Sequence, residues 1–255
     1  MVIDVHFTPL QVDEFSLRDR TIVVIDVLRA GTTIIVALSN GAKEIIPVAT
    51  VESAVKISGN LFGDVILLGG ERNGKMIEGF NLGNSPSEYT QERVRGKSII
   101  FNTTNGSQAL VKARYARELF VCGFVNISAA AKTLAENPRD FTVLCSGNNG
   151  AFSMEDSVCA GMLIDKVTSL GDTKYVLTDG SQAAHALYKK SGKNILKVVR
   201  TSDHGRHLSE IGFDEDLKMC AGVDTIPVVG CLDGNSIKVR REPEPKEVPL
   251  LPVTP

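Results

Sequence analysis

Short runs of β-branched and other apolar residues recur between residues 21 and 145, and turns rich in glycine or asparagine follow them. Unbroken apolar runs of about four to eight residues are typical of strands that are buried on both faces. The segments predicted to be strands are residues 21–25, 44–48, 65–68, 98–101 and 142–145. Helical periodicity and capping signals predict helices at residues 32–39, at 51–58, after Ser85-Pro86 and at 155–170.

Strands that alternate with helices indicate βαβ crossovers, which place helices over a sheet. The sequence therefore predicts an α/β fold with a largely parallel or mixed sheet and helices on both faces, in three layers. The loops after residues 98–101 and 142–145 are alike in their Asn-Gly endings, which leaves open two similar halves packed together. In such sheets, ligands bind beyond the carboxyl ends of the strands.

Composition narrows the class of protein. Of the 255 residues, 43% are hydrophobic, which is enough for a large core, and a net charge of −2 with no Trp argues against nucleic-acid binding. The five cysteines lack the two-residue spacing of zinc or redox motifs, so free thiols in a reducing cytoplasm are expected. The chain shows no signal-peptide pattern and no apolar run near the roughly 18 residues of a membrane span. A cytoplasmic protein without a membrane or nucleic-acid partner is predicted.

The first candidate site segment joins a predicted strand to a predicted helix and contains Asp26, Arg29, Thr32 and Thr33. A helix N-terminus offers free N–H groups, the threonines offer hydroxyls, and the arginine offers a planar fork for an oxyanion. An acid three residues before an arginine suits a site for a metal ion and an anion. The alternative is that Asp26 only ends the strand and Thr32 only caps the helix.

A second candidate segment combines an acid and an arginine between two glycines. Gly70 and Gly74 allow tight turns, so Glu71 and Arg72 are expected to project from a short loop. Asp26 and Glu71 each follow a predicted strand, and both are expected on the same edge of the sheet. The alternative is a solvated surface turn that contains an ion pair.

Several further polar segments are candidates for binding an anion or moving a proton. Backbone N–H groups and side-chain amides in two loops are suited to an anion: Thr103, Thr104, Asn105, Asn148 and Asn149. A third polar loop contains His204 and Arg206, which suit a proton carrier and a charge clamp. The alternative for the first two loops is ordinary turn and cap chemistry, and the alternative for His204 is a histidine that is merely exposed. Glu155 and Asp156 are acidic residues in a first helical turn, where either capping or function explains them.

The ordered set of segments resembles the 2-phosphosulfolactate phosphatase (ComB) family. The matching motifs are V-I-D-V-L-R-A-G-T-T at 24–33, G-E-R-N-G at 70–74, G-F-N-L-G-N-S-P at 79–86, T-T-N-G at 103–106 and H-G-R at 204–206. The resemblance implies the family's α/β catalytic unit, which we place at residues 1–241. Residues 242–255, which contain five of the ten prolines, are expected to form a Pro-rich C-terminal tail.

The resemblance also implies a magnesium-dependent phosphatase that converts 2-phospho-3-sulfolactate to 3-sulfolactate and phosphate, a step towards coenzyme M. On this hypothesis Asp26 and Glu71 hold Mg²⁺, and Arg29 and Arg72 stabilise the transferring phosphoryl group. His204 would protonate the leaving oxygen.

In the same hypothesis, Arg206 and the Thr and Asn side chains bind the small anionic substrate. Two alternatives remain: a non-catalytic binder of an anionic metabolite, and another metal-dependent enzyme that acts on phosphorylated acids. The sequence also leaves the oligomeric state open, with a homo-oligomer as one alternative.

Overall fold

The computed structural model describes residues 1–60 and 65–240, so the tail predicted at residues 242–255 lies outside the described residues. The strands are β1 (Val2–His6), β2 (Thr21–Ile25), β3 (Glu44–Pro47), β4 (Ile66–Arg72), β5 (Lys75–Met76), β6 (Ser98–Asn102), β7 (Glu118–Cys122), β8 (Phe141–Cys145), β9 (Val176–Leu177), β10 (Gly230–Asp233) and β11 (Ser236–Val239).

The helices surround this sheet, and three short 3-10 helices lie between them in the described residues, at Glu14–Leu17, Pro86–Glu88 and Phe124–Asn126. The α-helices are α1 (Ala30–Ser39), α2 (Val51–Asn60), α3 (Gln91–Val94), α4 (Gly106–Lys112), α5 (Ile127–Glu136), α6 (Met154–Ser169), α7 (Asp179–Ser191), α8 (Ile195–Thr201), α9 (Asp203–Glu210) and α10 (Asp214–Cys220).

The strands of the described residues form one mixed sheet in the order β5-β4-β6-β3-β11-β10-β7-β2-β8-β1-β9. Strands β4, β6 and β3 form one parallel set, and β7, β2, β8, β1 and β9 form the other. The antiparallel hairpin β10–β11 joins the two sets. The predicted α/β fold with a mixed sheet is confirmed.

Both faces of the sheet are covered by helices, as β2 shows residue by residue. All five residues of β2 are buried, which explains why its sequence lacks polar alternation. Val23 and Ile25 pack with side chains of α5 and α6, whereas Ile22 and Val24 pack with side chains of α1 and α4. Successive side chains of a strand point to opposite faces, so the two clusters lie on opposite sides of the sheet.

Three antiparallel pairings separate β3 from β7, so the two parallel sets run in opposite senses. The carboxyl ends of β2 and β4 therefore do not share an edge of the sheet. The expectation that Asp26 and Glu71 meet because they follow strands on one edge is wrong. The loop after β6 brings them together instead, as the contacts of the site show.

The largest local difference from the sequence-based expectation lies at residues 65–76. The strand predicted at 65–68 begins at Ile66 and continues to Arg72, and a two-residue turn then leads into β5. The turn residues Asn73 and Gly74 have φ values of 51° and 79°, as an Asn-Gly hairpin turn requires. Glu71 and Arg72 are thus the last residues of a strand, and their prediction as loop residues is wrong.

Helix α2 begins at Val51 as predicted, and α1 and α6 begin one or two residues before their predicted starts. The helix predicted after Ser85-Pro86 is only the short 3-10 helix Pro86–Glu88. Helix α1 begins at Ala30, and the carboxylate of Asp26 accepts the N–H of Ala30, so Thr32 is not the cap. Helix α6 begins at Met154, where the hydroxyl of Ser153 accepts the N–H of Asp156 as predicted. In the described residues, no helix is both long and apolar enough to cross a lipid bilayer.

Candidate active site

A cavity of about 320 Å³ gathers polar residues from segments that are distant in the sequence. Its lining consists of Glu71, Asn73, Gly74, Thr104, Asn105, Asn148, Asn149, His204 and His207. Six of these were predicted from the sequence: Glu71, Thr104, Asn105, Asn148, Asn149 and His204. A larger cavity of about 710 Å³ lies where β2 and β8 begin, and none of the predicted residues lines it. The smaller cavity is therefore the candidate active site.

Glu71 is fixed at the wall of this cavity by two backbone donors. The N–H of Thr104 donates to Glu71 Oε1 at 2.7 Å, and the N–H of Gly74 donates to Oε2 at 2.9 Å. The first bond ties the end of β4 to the loop after β6. Each carboxylate oxygen keeps a lone pair for a further partner.

Arg72 lies on the other side of β4 and does not line the cavity. Its guanidinium donates to Asn102 Oδ1 at 2.5 Å and to the carbonyl of Glu71 at 2.8 Å. Adjacent residues of a strand face opposite ways, so the structure brings only Glu71 of this pair to the candidate site.

Asp26 is 6% exposed and lies close to the N-terminus of α4. A β-carbon added to Gly106 would come within 2.5 Å of Asp26 Oδ2, so only glycine fits beside this carboxylate. Burial raises the pKa of Asp26 to about 7; the N–H of Ala30 opposes the shift, while Glu71 and Glu155 add to it. The carboxylates of Asp26 and Glu71 are thus close enough to repel one another.

Arg29 is completely buried and already has partners. Its Nη1 donates to Asp216 Oδ2 at 2.7 Å, its Nη2 donates to the carbonyl of Gly74 at 2.6 Å, and its guanidinium stacks on Phe213 with 4.3 Å to the ring centroid. These contacts connect the segment after β2 with the β4–β5 turn and with α10. Burial lowers the pKa of His204, and the positive charge of Arg29 adds to this effect, so the charge of Arg29 reaches the site.

Glu155 and Asp156 have different surroundings. From the sequence alone, either helix capping or a functional role could explain them. Asp156 accepts the N–H of Val27 at 2.8 Å and of Gly147 at 3.1 Å, so it joins the loops after β2 and β8. Burial, followed by repulsion from Asp26, raises its pKa well above the ordinary value. Glu155 is 2% exposed, and burial raises its pKa as well.

His204 lies in the first turn of α9 rather than in the predicted loop. Its Nδ1 is 3.9 Å from Glu155 Oε1. Burial, and then the charge of Arg29, lowers the pKa of His204 to about 4. The imidazole is therefore neutral at neutral pH, and its role as the proton donor to the leaving group stays a prediction.

Four predicted substrate-binding residues lie outside the cavity lining. The hydroxyls of Thr32 and Thr33 are buried and donate to the carbonyls of Val27 and Asn84. Thr103 is buried and exchanges hydrogen bonds with Ser107 at the start of α4. Arg206 is exposed on α9 and pairs with Asp203 and the carbonyl of Thr201.

Two backbone N–H groups of the polar loops, which the sequence suggested for an anion, already have partners within the protein. The N–H of Thr104 is bound to Glu71, and the N–H of Asn149 donates to Asn105 Oδ1 at 3.0 Å. These two N–H groups are therefore not available to a ligand, whereas the side-chain amide groups of Asn105 and Asn148 lie in the lining. Thr104 Oγ1 is buried and has no hydrogen-bond partner among the described residues.

The family model of 2-phosphosulpholactate phosphatase matches residues 6–235. The chain belongs to the 2-phosphosulpholactate phosphatase family. A probable 2-phosphosulfolactate phosphatase of Caldanaerobacter subterraneus is 40% identical over 242 residues, which are 95% of this chain and 100% of the relative. Proteins with the same description from Caldicellulosiruptor saccharolyticus and Thermotoga maritima are 39% and 38% identical. They cover 86% and 84% of this chain, and 91% and 89% of their own lengths respectively.

In this member of the phosphatase family, the side-chain oxygens at the candidate site are suited to Mg²⁺. No group of three or more His, Cys, Asp or Glu side chains in residues 1–60 and 65–240 forms a complete metal site. Mg²⁺ does not require one, because it keeps several waters and is usually held by one or two carboxylates together with substrate phosphate. Glu71 and Asp26 supply such oxygens, and Thr104, whose N–H binds Glu71, adds a buried hydroxyl without a hydrogen-bond partner among the described residues.

Cys145, the cysteine beside a candidate loop of this phosphatase-family chain, is a poor nucleophile. Cys145 lies at the end of β8 and is completely buried, and its burial raises the pKa of the thiol well above the ordinary value. A thiol with a raised pKa is rarely ionised, and the thiolate is the reactive form. A covalent route through Cys145 is therefore disfavoured.

Three lining residues were not among the predicted site residues: Asn73, Gly74 and His207. Asn73 could have been found, because Asn-Gly after an apolar run is a strong hairpin signal. His207 follows His204 by three residues, which places both on one face of a helix, but the segment was predicted to be a loop.

Proposed function

We propose that this protein hydrolyses 2-phospho-3-sulfolactate to 3-sulfolactate and phosphate with Mg²⁺ as cofactor, a step of the kind that leads towards coenzyme M. The observation that carries the proposal is the convergence of Glu71, the two Asn-rich loops and His204 on one cavity. The full-length similarity to proteins described as probable 2-phosphosulfolactate phosphatases supports the choice of substrate.

Asp26 and Glu71 would hold the metal ion. When bound, Mg²⁺ would offset the charge of the phosphoryl oxygens and help to orient a water molecule. Without a cation, the carboxylates of Asp26, Glu71 and Glu155 would repel a phosphate dianion, and the guanidinium of Arg29 is already paired with Asp216. Glu71 lines the cavity, and Asp26 and Glu155 are buried near it, so this group of acids is the physical reason for the proposed metal requirement.

His204 would accept a proton from the attacking water, because its imidazole is neutral. The oxygen of that water bonds to phosphorus, the bond between phosphorus and the ester oxygen breaks, and the released oxygen takes a proton from solvent. Asn105 and Asn148 would donate hydrogen bonds to the substrate. Arg29 would act as a positioning residue, since it holds Gly74, whose N–H holds Glu71.

The metal requirement is tested by measuring phosphate release from 2-phosphosulfolactate and from other phosphorylated acids, with Mg²⁺ and with EDTA. We expect turnover with Mg²⁺, its loss in EDTA and its recovery when Mg²⁺ is restored. Undiminished turnover in EDTA would contradict the metal mechanism. Binding of these acids without any phosphate release would favour a non-catalytic binder, and products other than phosphate would favour another enzyme class.

The raised pKa of Asp26 predicts that Mg²⁺ affinity depends on pH. Below about pH 7 the metal-free carboxyl is protonated and must lose its proton before it can bind a cation. The affinity for Mg²⁺ should therefore rise about tenfold between about pH 6 and about pH 8. Calorimetric titration at both pH values measures this change, and an affinity that is equal at the two would contradict it. Asp165→Asn, which alters an acid paired with His185 and Lys189, should keep the same pH dependence.

A further inference from the structure

A substrate with acidic groups beyond its phosphate needs a partner for those groups, and this requirement rests on the proposed function. The cavity lining contains no lysine or arginine. Among the predicted arginines, Arg29 is paired with Asp216, Arg72 lies on the opposite side of β4, and Arg206 lies outside the lining. The arginine clamp expected from the sequence is thus absent from this cavity.

Elimination among the lining residues leaves one side chain that can offer a positive charge to the remote end of the substrate. Glu71 repels an anion and is assigned to the metal ion, and His204 is assigned to the attacking water. The asparagines and Thr104 are neutral. His207 remains, and the imidazole side chain can both donate hydrogen bonds and become positively charged.

The position of His207 is that of a ligand-binding group rather than of a structural one. It is exposed on α9, one turn after His204, and faces the β4–β5 turn. Its Nε2 lies 3.7 Å from the place that a β-carbon on Gly74 would occupy. Its side chain has no hydrogen bond or ion pair with any other residue that the structure describes, so both ring nitrogens are available to a ligand.

We infer that His207 determines specificity by binding an oxyanion of the substrate other than the transferred phosphate. The bound group is the carboxylate or the sulfonate of the three-carbon acid. Asn73, beside His207 on the lining, would contribute an amide to the same group. The two-residue turn of the β4–β5 hairpin and the exposed face of α9 thereby form the end of the cavity that binds this carboxylate or sulfonate.

The test measures calorimetric binding of 3-sulfolactate to the unaltered protein and to three variants. His207→Ala should weaken binding about tenfold, and His207→Arg, which keeps a cationic donor, should stay within about threefold of the unaltered protein. His185→Ala is the matched control, because His185 pairs with Asp165 on α6, outside the cavity. It should leave the affinity unchanged.

Lactate, which lacks the sulfonate, and isethionate, which lacks the carboxylate, identify the group that His207 binds. The effect of His207→Ala should persist with the one acid that retains this group. Equal binding of 3-sulfolactate by His207→Ala and the unaltered protein would overturn the inference. No detectable binding by the unaltered protein would also overturn it.

Turnover provides a second readout that separates this inference from the proposed function. With 2-phosphosulfolactate, His207→Ala should raise KM about tenfold and leave kcat within about threefold. With ethyl phosphate, which has no acidic tail, KM should not change, and an equal rise in KM for both esters would count against the inference. Absence of phosphate release by the unaltered protein would contradict the proposed function but leave the binding result for His207 intact.

Discussion

Asp26→Asn should reduce kcat/KM for phosphate release by roughly a thousandfold or more, because it removes one of the two proposed charged metal ligands. Asparagine has nearly the same shape as aspartate and can still accept the N–H of Ala30, so α1 keeps its cap. The measurement is steady-state phosphate release at saturating Mg²⁺. Turnover close to that of the unaltered protein would remove Asp26 from the mechanism.

The same substitution should not weaken the fold, which separates loss of chemistry from unfolding. The pKa of Asp26 is raised from 3.8 to about 7, so the native state binds this proton more tightly than the unfolded chain does. Its ionisation therefore destabilises the metal-free protein, with an effect that builds up as pH rises from 3.8 to about 7 and persists above that. Asparagine cannot ionise, so the thermal midpoint of Asp26→Asn at alkaline pH should equal or exceed that of the unaltered protein. Asp165→Asn is the control that should retain turnover.

Arg29→Met should have the largest effect on stability, lowering the free energy of unfolding by about 3–5 kcal/mol. The substitution leaves the carboxylate of Asp216 buried, with Ser85 as its remaining hydrogen-bond partner at 2.6 Å. It also removes the contacts of the guanidinium with Gly74 and Phe213. Chemical denaturation monitored by circular dichroism measures the change.

Two further variants show whether burial is the cause of this effect. Arg114 also has an ion pair, with Glu14 at 3.0 Å, and a ring contact, with Tyr115 at 4.7 Å, but its side chain is 47% exposed. Arg114→Met should therefore cost no more than about 1 kcal/mol. Adding Asp216→Asn to Arg29→Met should recover part of the stability, because no unpaired buried charge remains. Equal losses for Arg29→Met and Arg114→Met would contradict the explanation.

Local sequence patterns were sufficient for the predictions that depend on neighbouring residues. The apolar run at residues 21–25 identifies a strand buried on both faces, because burial suppresses polar alternation. The Ser153 cap of α6 was predicted correctly, because a cap is a contact over three residues. Six of the predicted site residues line the cavity, among them Glu71 and His204, although their assigned roles stay predictions.

Tertiary structure decided which of the polar side chains share a site. Arg72 and Glu71 are neighbours in β4, so their side chains lie on opposite sides of the strand. The sequence-based prediction ended this strand at residue 68 and therefore could not separate them. Arg29 and Asp216 are 187 residues apart, so no local pattern indicates that they form a buried pair. The opposite senses of the two parallel sets follow from pairings of β10 and β11 with distant strands. The sequence by itself thus determined the layered α/β architecture and the candidate segments, whereas the cavity, the pairing of its charges and the place of His207 depend on contacts between distant segments, which periodicity does not record.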